Sequence, residues 1–222
     1  MGLDVGVDNL MACALYDEGS FVIDGKRLKS DLLWLGKKMD YLSSRRQDRR
    51  YTKRMQRLSG HITCMTDDYI YKAVARMLDE AKRHGVTTIV IGKNDGLKMG
   101  GIKNDNLKKK DRRKVNRTFV RVPMMSMIAR IIYKAREYGI RALTVNESYT
   151  SLASFYDGDV PEKGTEFSGI RFMRSLYRTR EGRIVNADIN AALNILCKCS
   201  PDATWLRSMG ITVPKRIQVL RP

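Results

Sequence analysis

Three acidic residues stand at the edges of short apolar runs: Asp4 within MGLDVGVDN, Glu147 just past IRALTV, and Asp188 near the start of NADINAALNIL. A carboxylate inside an apolar strand is costly to desolvate unless a cation pairs with it, and magnesium prefers carboxylate oxygens in octahedral geometry. Three such acids brought together repel one another, so a convergent cluster implies a bound cation. Two metal ions roughly 4 Å apart can activate a water and steady the leaving oxygen of a phosphodiester, with few protein groups beyond the carboxylates. That chemistry suits a chain whose only histidines are His61 and His84, neither of which is assigned a catalytic role. Taken singly, each acid has a plainer explanation: a strand end, a lysine partner, or a favourable charge at a helix N-terminus. Spacing alone leaves both readings open.

The elements that must position these acids follow from periodicity. Residues 1–24 alternate apolar runs with glycines and acids, as three consecutive antiparallel strands do. Leu28, Leu32, Leu35, Met39 and Leu42 then recur at helical spacing and lead into SSRRQDRRYTKRMQR, which predicts a long, positively charged helix. A further helix is expected over TDDYIYKAVARMLDEAKRHG, with Thr66 as N-cap and Gly85 as its stop. The β-branched run VTTIVIG follows as a buried central strand. Residues 93–118, rich in glycine and lysine, have little to bury and predict a loop. Pro123 opens another amphipathic helix at its first position, with Met124 and Met127 filling the core, and the strand IRALTV comes after Gly139. A helix crossing between parallel strands gives an α/β layer architecture. The basic, aromatic segment FSGIRFMRSLYRTREGRIV looks like an inserted hairpin, the helix ADINAALNIL resumes the core, and ITVPKRIQVL is an edge strand interrupted by Pro214.

Composition narrows the partners. The 222 residues hold 42 Lys and Arg against 24 Asp and Glu, a net charge of +18, which favours a polyanion over a charge carried only for solubility. Cys13, Cys64, Cys197 and Cys199 form no CxxC pair, so no structural zinc site is expected. No apolar run is long enough to cross a bilayer and no secretory leader is evident, which predicts an intracellular protein with reduced thiols.

The segments GLDVGVDNLMA, IVIGKND, VNESYTS and SLYRTREGRIVNADINAALNIL, in that order, resemble the RuvC-like blocks of the TnpB (OrfB) proteins of insertion sequences, which are related to type V CRISPR effectors. The resemblance runs from Met1 to the ITVPKRIQVL tail. GxDxG alone is weak, whereas NESYTS followed by NADINAALNI is specific. What the resemblance implies is an RNase H-like (RuvC-like) mixed sheet flanked by helices over residues 1–222. Residues 26–85 would be a basic helical insertion, and 157–185 a cysteine-free counterpart of the family's zinc and target-binding module before the last core helix. It implies a metal-dependent, RNA-guided DNA endonuclease of a bacterial or archaeal cytoplasm, whose catalytic and metal-binding acids fall on Asp4, Glu147 and Asp188. Mg²⁺ is the expected cofactor, with Mn²⁺ as the alternative and no zinc; guide RNA and target DNA are the expected partners, with no membrane. Full-length members carry a large N-terminal region before the first catalytic strand, which here begins at Met1, so a region supplied in trans is a further expected partner.

Two basic clusters could track a phosphate backbone. The first is Arg45, Arg46, Arg49, Arg50, Lys53 and Arg54; the second is Lys108, Lys109, Lys110, Arg112 and Arg113 on the glycine-rich stretch. In the inserted hairpin, Arg174 and Arg178 stand beside Phe172 and Tyr177, a combination that stacks on unpaired bases or makes a small hairpin core. Two other functions remain alternatives. One is a guide-binding or DNA-binding protein that no longer cuts, and the other is an unguided nuclease of the same fold.

Overall fold

Alternation along the first strands decides which residues meet. The computed structural model describes residues 1–17, 19–46, 48, 50–93, 122–208 and 213–219. The strands β1 (Gly2–Val5), β2 (Asn9–Ala14) and β3 (Ser20–Asp24) form a meander, and β4 (Thr88–Lys93) and β5 (Arg141–Asn146) extend it in parallel on the β1 side. With β9 (Lys215–Ile217) parallel to β3, the sheet order is β5-β4-β1-β2-β3-β9. Only β2 runs against the others, which is the mixed RNase H-like sheet flanked by helices that the resemblance implied.

The two faces of this sheet are packed differently. Leu3, Met11, Cys13, Phe21, Ile23, Ile89 and Ile91 point to one face and meet α1 (Lys26–Ser44), α2 (Lys53–Arg83) and α3 (Met124–Glu137). Ala12, Ala14, Val22 and Val90 point to the other, against α4 (Ala187–Cys199) and the 3-10 turn Pro201–Ser208. Both faces bury apolar area at about 25 cal/mol per Å², but the second uses small side chains, so α4 lies close to the strands. A Cβ on Gly2 would stand 2.2 Å from the carbonyl oxygen of Ala192, which is why that strand position is glycine.

The helices show where local reading succeeds and fails. In α3, Met124, Met127, Ile128, Ile131 and Ala135 form the inward stripe, with Pro123 as N-cap one residue before the position expected. The long basic helix expected from residue 27 onward does not form as one piece: α1 ends at Ser44, and the arginine-rich connection precedes α2. The N-cap of α2 is Thr52, whose hydroxyl accepts from the Met55 N–H at 3.3 Å. Thr66, expected as a cap, lies inside α2 and donates its hydroxyl to the Ile62 carbonyl at 2.7 Å. Gly60 does not interrupt it, and two amphipathic patterns run on into one 31-residue helix. It ends where expected, with Gly85 at φ +63°.

The inserted segment makes a separate antiparallel sheet of β6 (Ile170–Met173), β7 (Leu176–Arg178) and β8 (Ile184–Asn186). Among the described residues, no helix is long and apolar enough to cross a membrane.

Candidate active site

The parity that sends Gly2 toward α4 sends Asp4 the same way, and on β5 it sends Val145, and beyond the strand Glu147, toward that face. Asp4 lies near the C-terminal end of β1, and Glu147 continues the β5 ladder through its N–H to the Lys93 carbonyl at 3.2 Å. Ligands of open α/β sheets gather outside this edge. Asp188 arrives from the opposite layer, in the first turn of α4. There Asn186 caps the helix by accepting from the N–H groups of Asp188 at 3.0 Å and Ile189 at 3.1 Å.

Electrostatics tie the three together. Asp4 is half-buried as a residue, yet its carboxyl is desolvated, and burial pushes its pKa well above the ordinary range. The negative charges of Asp188 and Glu147 push it further, and Arg171 and the Val5 N–H act the other way. Among the described residues, however, no three acid, His or Cys side chains are grouped to hold a cation as they stand. The acids share one field without forming a preformed cage. Their chemistry, hard oxygen donors of like charge beside an enclosed carboxyl, fits a Mg²⁺-type cation.

Residues that periodicity could not single out hold this arrangement. Asn190 and Asn194, one turn apart on α4 and almost fully buried, bind the turn that follows Glu147. The Asn190 amide donates to the Ala153 carbonyl at 2.8 Å and accepts from the Phe155 N–H at 3.0 Å, while Asn194 donates to the carbonyls of Thr150 and Ala153. Lys198 adds bonds to the carbonyls of Asn146 at 2.9 Å and Ser148 at 3.0 Å. One helix thus carries Asp188 and clamps the segment that carries Glu147. Tyr149, at φ +66°, is the one described non-glycine residue with positive φ, and it lies in this turn. Gly92 makes room, since a Cβ there would stand 3.1 Å from Oε2 of Glu147. The signal for the clamp was present in NADINAALNIL, whose asparagines are poor helix formers that need a tertiary reason.

A cavity of about 470 Å³ opens beside Asp4 and Asp188, lined also by Asp8, Asn9, Arg171, Arg174 and Arg216. Arg171 pairs with Oδ1 of Asp188 at 2.9 Å, and Arg174 pairs with Asp8, which Lys29 also meets at 2.6 Å. A sheet edge carrying acids and arginines in one cleft can take a phosphodiester.

Residues 1–97 match the family model OrfB_IS605, described as "Probable transposase", and residues 126–195 match that of the Cas12f1-like TNB domain. The chain is thus similar to the OrfB transposases over its first part and to the Cas12f1-like TNB domain over a later part. Two similar solved structures are a Cas12f1-sgRNA-target DNA complex and a CRISPR-Cas12f ternary complex, each 21% identical. The first has a TM-score of 0.56 over 87% of this chain and 48% of that one. The second has a TM-score of 0.58 over 87% and 37%. At that identity the likeness shows the shared fold, and the chain spans half or less of those proteins. No curated protein matches it significantly.

The gap between the two matched regions runs from past β4 to the first turn of α3, so Asp4 lies in the first and Glu147 and Asp188 in the second. The expected nucleic-acid contacts fare unevenly. Arg45, Arg50, Lys53 and Arg54 are exposed, and Arg45 packs over the Tyr41 ring at 5.1 Å. They occupy the α1–α2 connection and the first turn of α2, where cations oppose the helix dipole. Arg46 is half-buried and bonds the Ser43 carbonyl at 3.3 Å. Arg49, Lys108, Lys109, Lys110, Arg112 and Arg113 lie outside the described residues. Arg178 sits over the Phe172 ring at 5.7 Å and both are exposed. Tyr177 is fully buried, donates its hydroxyl to the Leu152 carbonyl at 2.7 Å, and has its pKa pushed up to about 12, by burial first. It belongs to the small hairpin core, not to a base-stacking surface.

The four cysteines are free, and Cys13 is buried. His84 has an acid partner invisible in sequence, Asp17 Oδ2 at 3.0 Å, on the β2–β3 connection.

Proposed function

We propose that this chain is the nuclease portion of a metal-dependent, RNA-guided DNA endonuclease, with Asp4, Glu147 and Asp188 as its catalytic acids. The observation that carries the reading is the enclosed Asp4 carboxyl at the C-terminal edge of the sheet, whose pKa burial raises first and the charges of Asp188 and Glu147 raise further. Mg²⁺, with Mn²⁺ as the alternative, would be held by these three carboxylates; when bound it supplies an activated water and charge stabilisation for phosphodiester hydrolysis. Arg171 and Arg174 line the same cavity and orient a phosphate, and the exposed Arg45, Arg50, Lys53 and Arg54 follow a nucleic-acid backbone by charge. Guide RNA and target DNA are proposed as partners because the similar Cas12f1 structure is a complex with sgRNA and target DNA. In this reading residues 1–222 are one RuvC-like domain, 26–85 are its basic insertion, 157–185 replace a zinc module, and no zinc is required. The site belongs to the cytoplasm, where Mg²⁺ is plentiful.

The test compares cutting and retention of one labelled target, with guide RNA, by wild type and Asp188→Ala, with and without chelator. Cutting by the wild type alone, lost with chelator, is expected, with a fall of at least about 10³-fold in the variant, or some 4 kcal/mol. Retention should persist, since phosphate contacts come from other segments. Undiminished cutting by Asp188→Ala overturns the mechanism. The alternative reading is a nucleic-acid-binding protein that no longer cuts, and retention without cutting by the wild type in every metal and guide condition would establish it.

A further inference from the structure

We propose that Asn9 is a positioning residue that fixes the orientation of Asp188, and that Arg216 on the edge strand β9 holds Asn9 in the only pose that allows it. This rests on the reading of Asp188 as a cation ligand. Regular alternation on β2 would turn Asn9 to the same face as Met11 and Cys13, into the apolar layer under α1–α3. Instead the β2–β3 register slips between Asn9 and Met11, and Leu10 and Met11 both enter that layer. The bulge rotates Asn9 to the α4 side, where its amide Nδ2 donates to Oδ2 of Asp188 at 2.8 Å.

Its other half is also committed. Nη1 of Arg216 donates to Oδ1 of Asn9 at 3.1 Å and pairs with Asp24, the residue opposite Asn9 across the bulge. A guanidinium only donates and a carboxylate only accepts, so the amide between them has a single satisfied orientation. Asn9 is 6% exposed, which makes a flipped amide costly on both sides. Buried asparagines often serve only to satisfy backbone, as Asn190 and Asn194 do here. Asn9 differs because both its partners are charged side chains lining the same cavity. With Arg171 on Oδ1 and Asn9 on Oδ2, the Asp188 carboxylate is held at both oxygens, from the inserted hairpin on one side and from the sheet on the other. A strand 207 residues along the chain from Asn9 thereby becomes part of the site.

The experiment titrates Mn²⁺ into the full chain, followed by electron paramagnetic resonance, with metal-free thermal melts as the control for folding. Outer hydrogen-bond partners of ligating carboxylates typically hold metal affinity by 10- to 100-fold, so Asn9→Ala and the isosteric Asn9→Leu should each weaken Mn²⁺ binding by roughly that factor. Arg216→Gln should weaken it less, and should add nothing in the Asn9→Ala background, because the relay is already cut. A residue that matters only for packing would lower the melting temperature and leave Mn²⁺ affinity in the folded fraction unchanged. Wild-type affinity in Asn9→Leu overturns the proposal, as does an equal Arg216→Gln effect in both backgrounds. If Asn9→Ala does not fold, Asn9→Leu and Arg216→Gln carry the comparison. Asp188→Ala separates the two readings: Mn²⁺ affinity equal to wild type there sinks the cation-ligand reading itself, whereas loss there with none in Asn9→Leu sinks only the role of Asn9.

Discussion

On the α1–α3 side the sheet presents Leu3, Met11, Phe21, Ile23, Ile89 and Ile91 to three helices, and on the α4 side it presents Gly2, Ala12, Ala14, Val22, Val90 and Gly92 to one. The first face fills volume with large side chains. The second gives up volume so that one helix can approach closely enough to bring Asp188 into the field of Asp4 and to clamp the Glu147 turn with Asn190 and Asn194. Stability is concentrated on one side of the strands and polar precision on the other, so substitutions on the two faces should separate folding from function.

The largest effect on folding is expected from Phe21→Ala, which empties a side chain 1% exposed in the large-residue layer. It should cost about 3–5 kcal/mol, a fall of roughly 10 °C or more in Tm, while metal affinity of the remaining folded protein stays at the wild-type value. A specific loss of metal binding at unchanged Tm would break the division between faces. Gly92→Ala tests the opposite side. Its new Cβ meets Ile195 Cδ1 at 2.5 Å, which a flexible terminus can relieve, and Oε2 of Glu147 at 3.1 Å, which sits in the site. About 1–3 kcal/mol of destabilisation is expected, with a fall in cutting or metal affinity out of proportion to it.

Glu80→Gln sharpens the comparison by pH. Glu80 on α2 is almost fully buried, and Lys215 of β9, first, then Arg83, hold its carboxyl below the ordinary range against the opposing effect of burial. A depressed folded pKa contributes stability that is present above the unfolded value near 4.5 and is lost as pH falls through the folded value. Urea melts should therefore show wild type ahead of Glu80→Gln by about 1–3 kcal/mol at neutral pH, with the gap closing below pH 4.5. A gap independent of pH would mean that the ion pair to β9 contributes nothing. The smallest effect has the opposite sign. Metal-free Asp4→Asn removes an enclosed charge whose folded pKa is raised, so it should stabilise the protein and raise Tm slightly at neutral pH. For a raised carboxyl the wild type loses stability as pH climbs from 3.8 toward the folded value, so the gain should vanish near pH 4 and grow above it. Differential scanning fluorimetry across pH without metal reads it, and destabilisation at neutral pH would show that Asp4 is needed for packing.

How much of this was legible varies with the range of the interaction responsible. The order of strands and helices, the inward stripe of α3, the glycine stop of α2 and the placing of Asp188 in a helical first turn follow from period, caps and turn residues, which act within about one turn of chain. The merging of two expected helices at Thr66, and the break that puts Arg45, Arg46 and Arg50 in a connection, did not follow. Both depend on which surfaces the helices bury, since charged runs alone have no preference strong enough to set a boundary. Arg171 and Asn9 escaped notice because their partner, Asp188, is 17 and 179 residues away.

The sequence by itself determined the acids available for the chemistry, the basic excess that fits a polyanion, and the alternation that sends Asp4 and Gly2 to one face. Only the tertiary structure decided that Asp4, Glu147 and Asp188 share a field, that Asn190 and Asn194 hold the Glu147 turn, and that a bulge turns Asn9 to Asp188 under the hand of Arg216. The physical reason is that composition and period are properties of neighbouring residues, whereas desolvation, charge coupling and amide orientation are properties of distant residues brought together at a sheet edge.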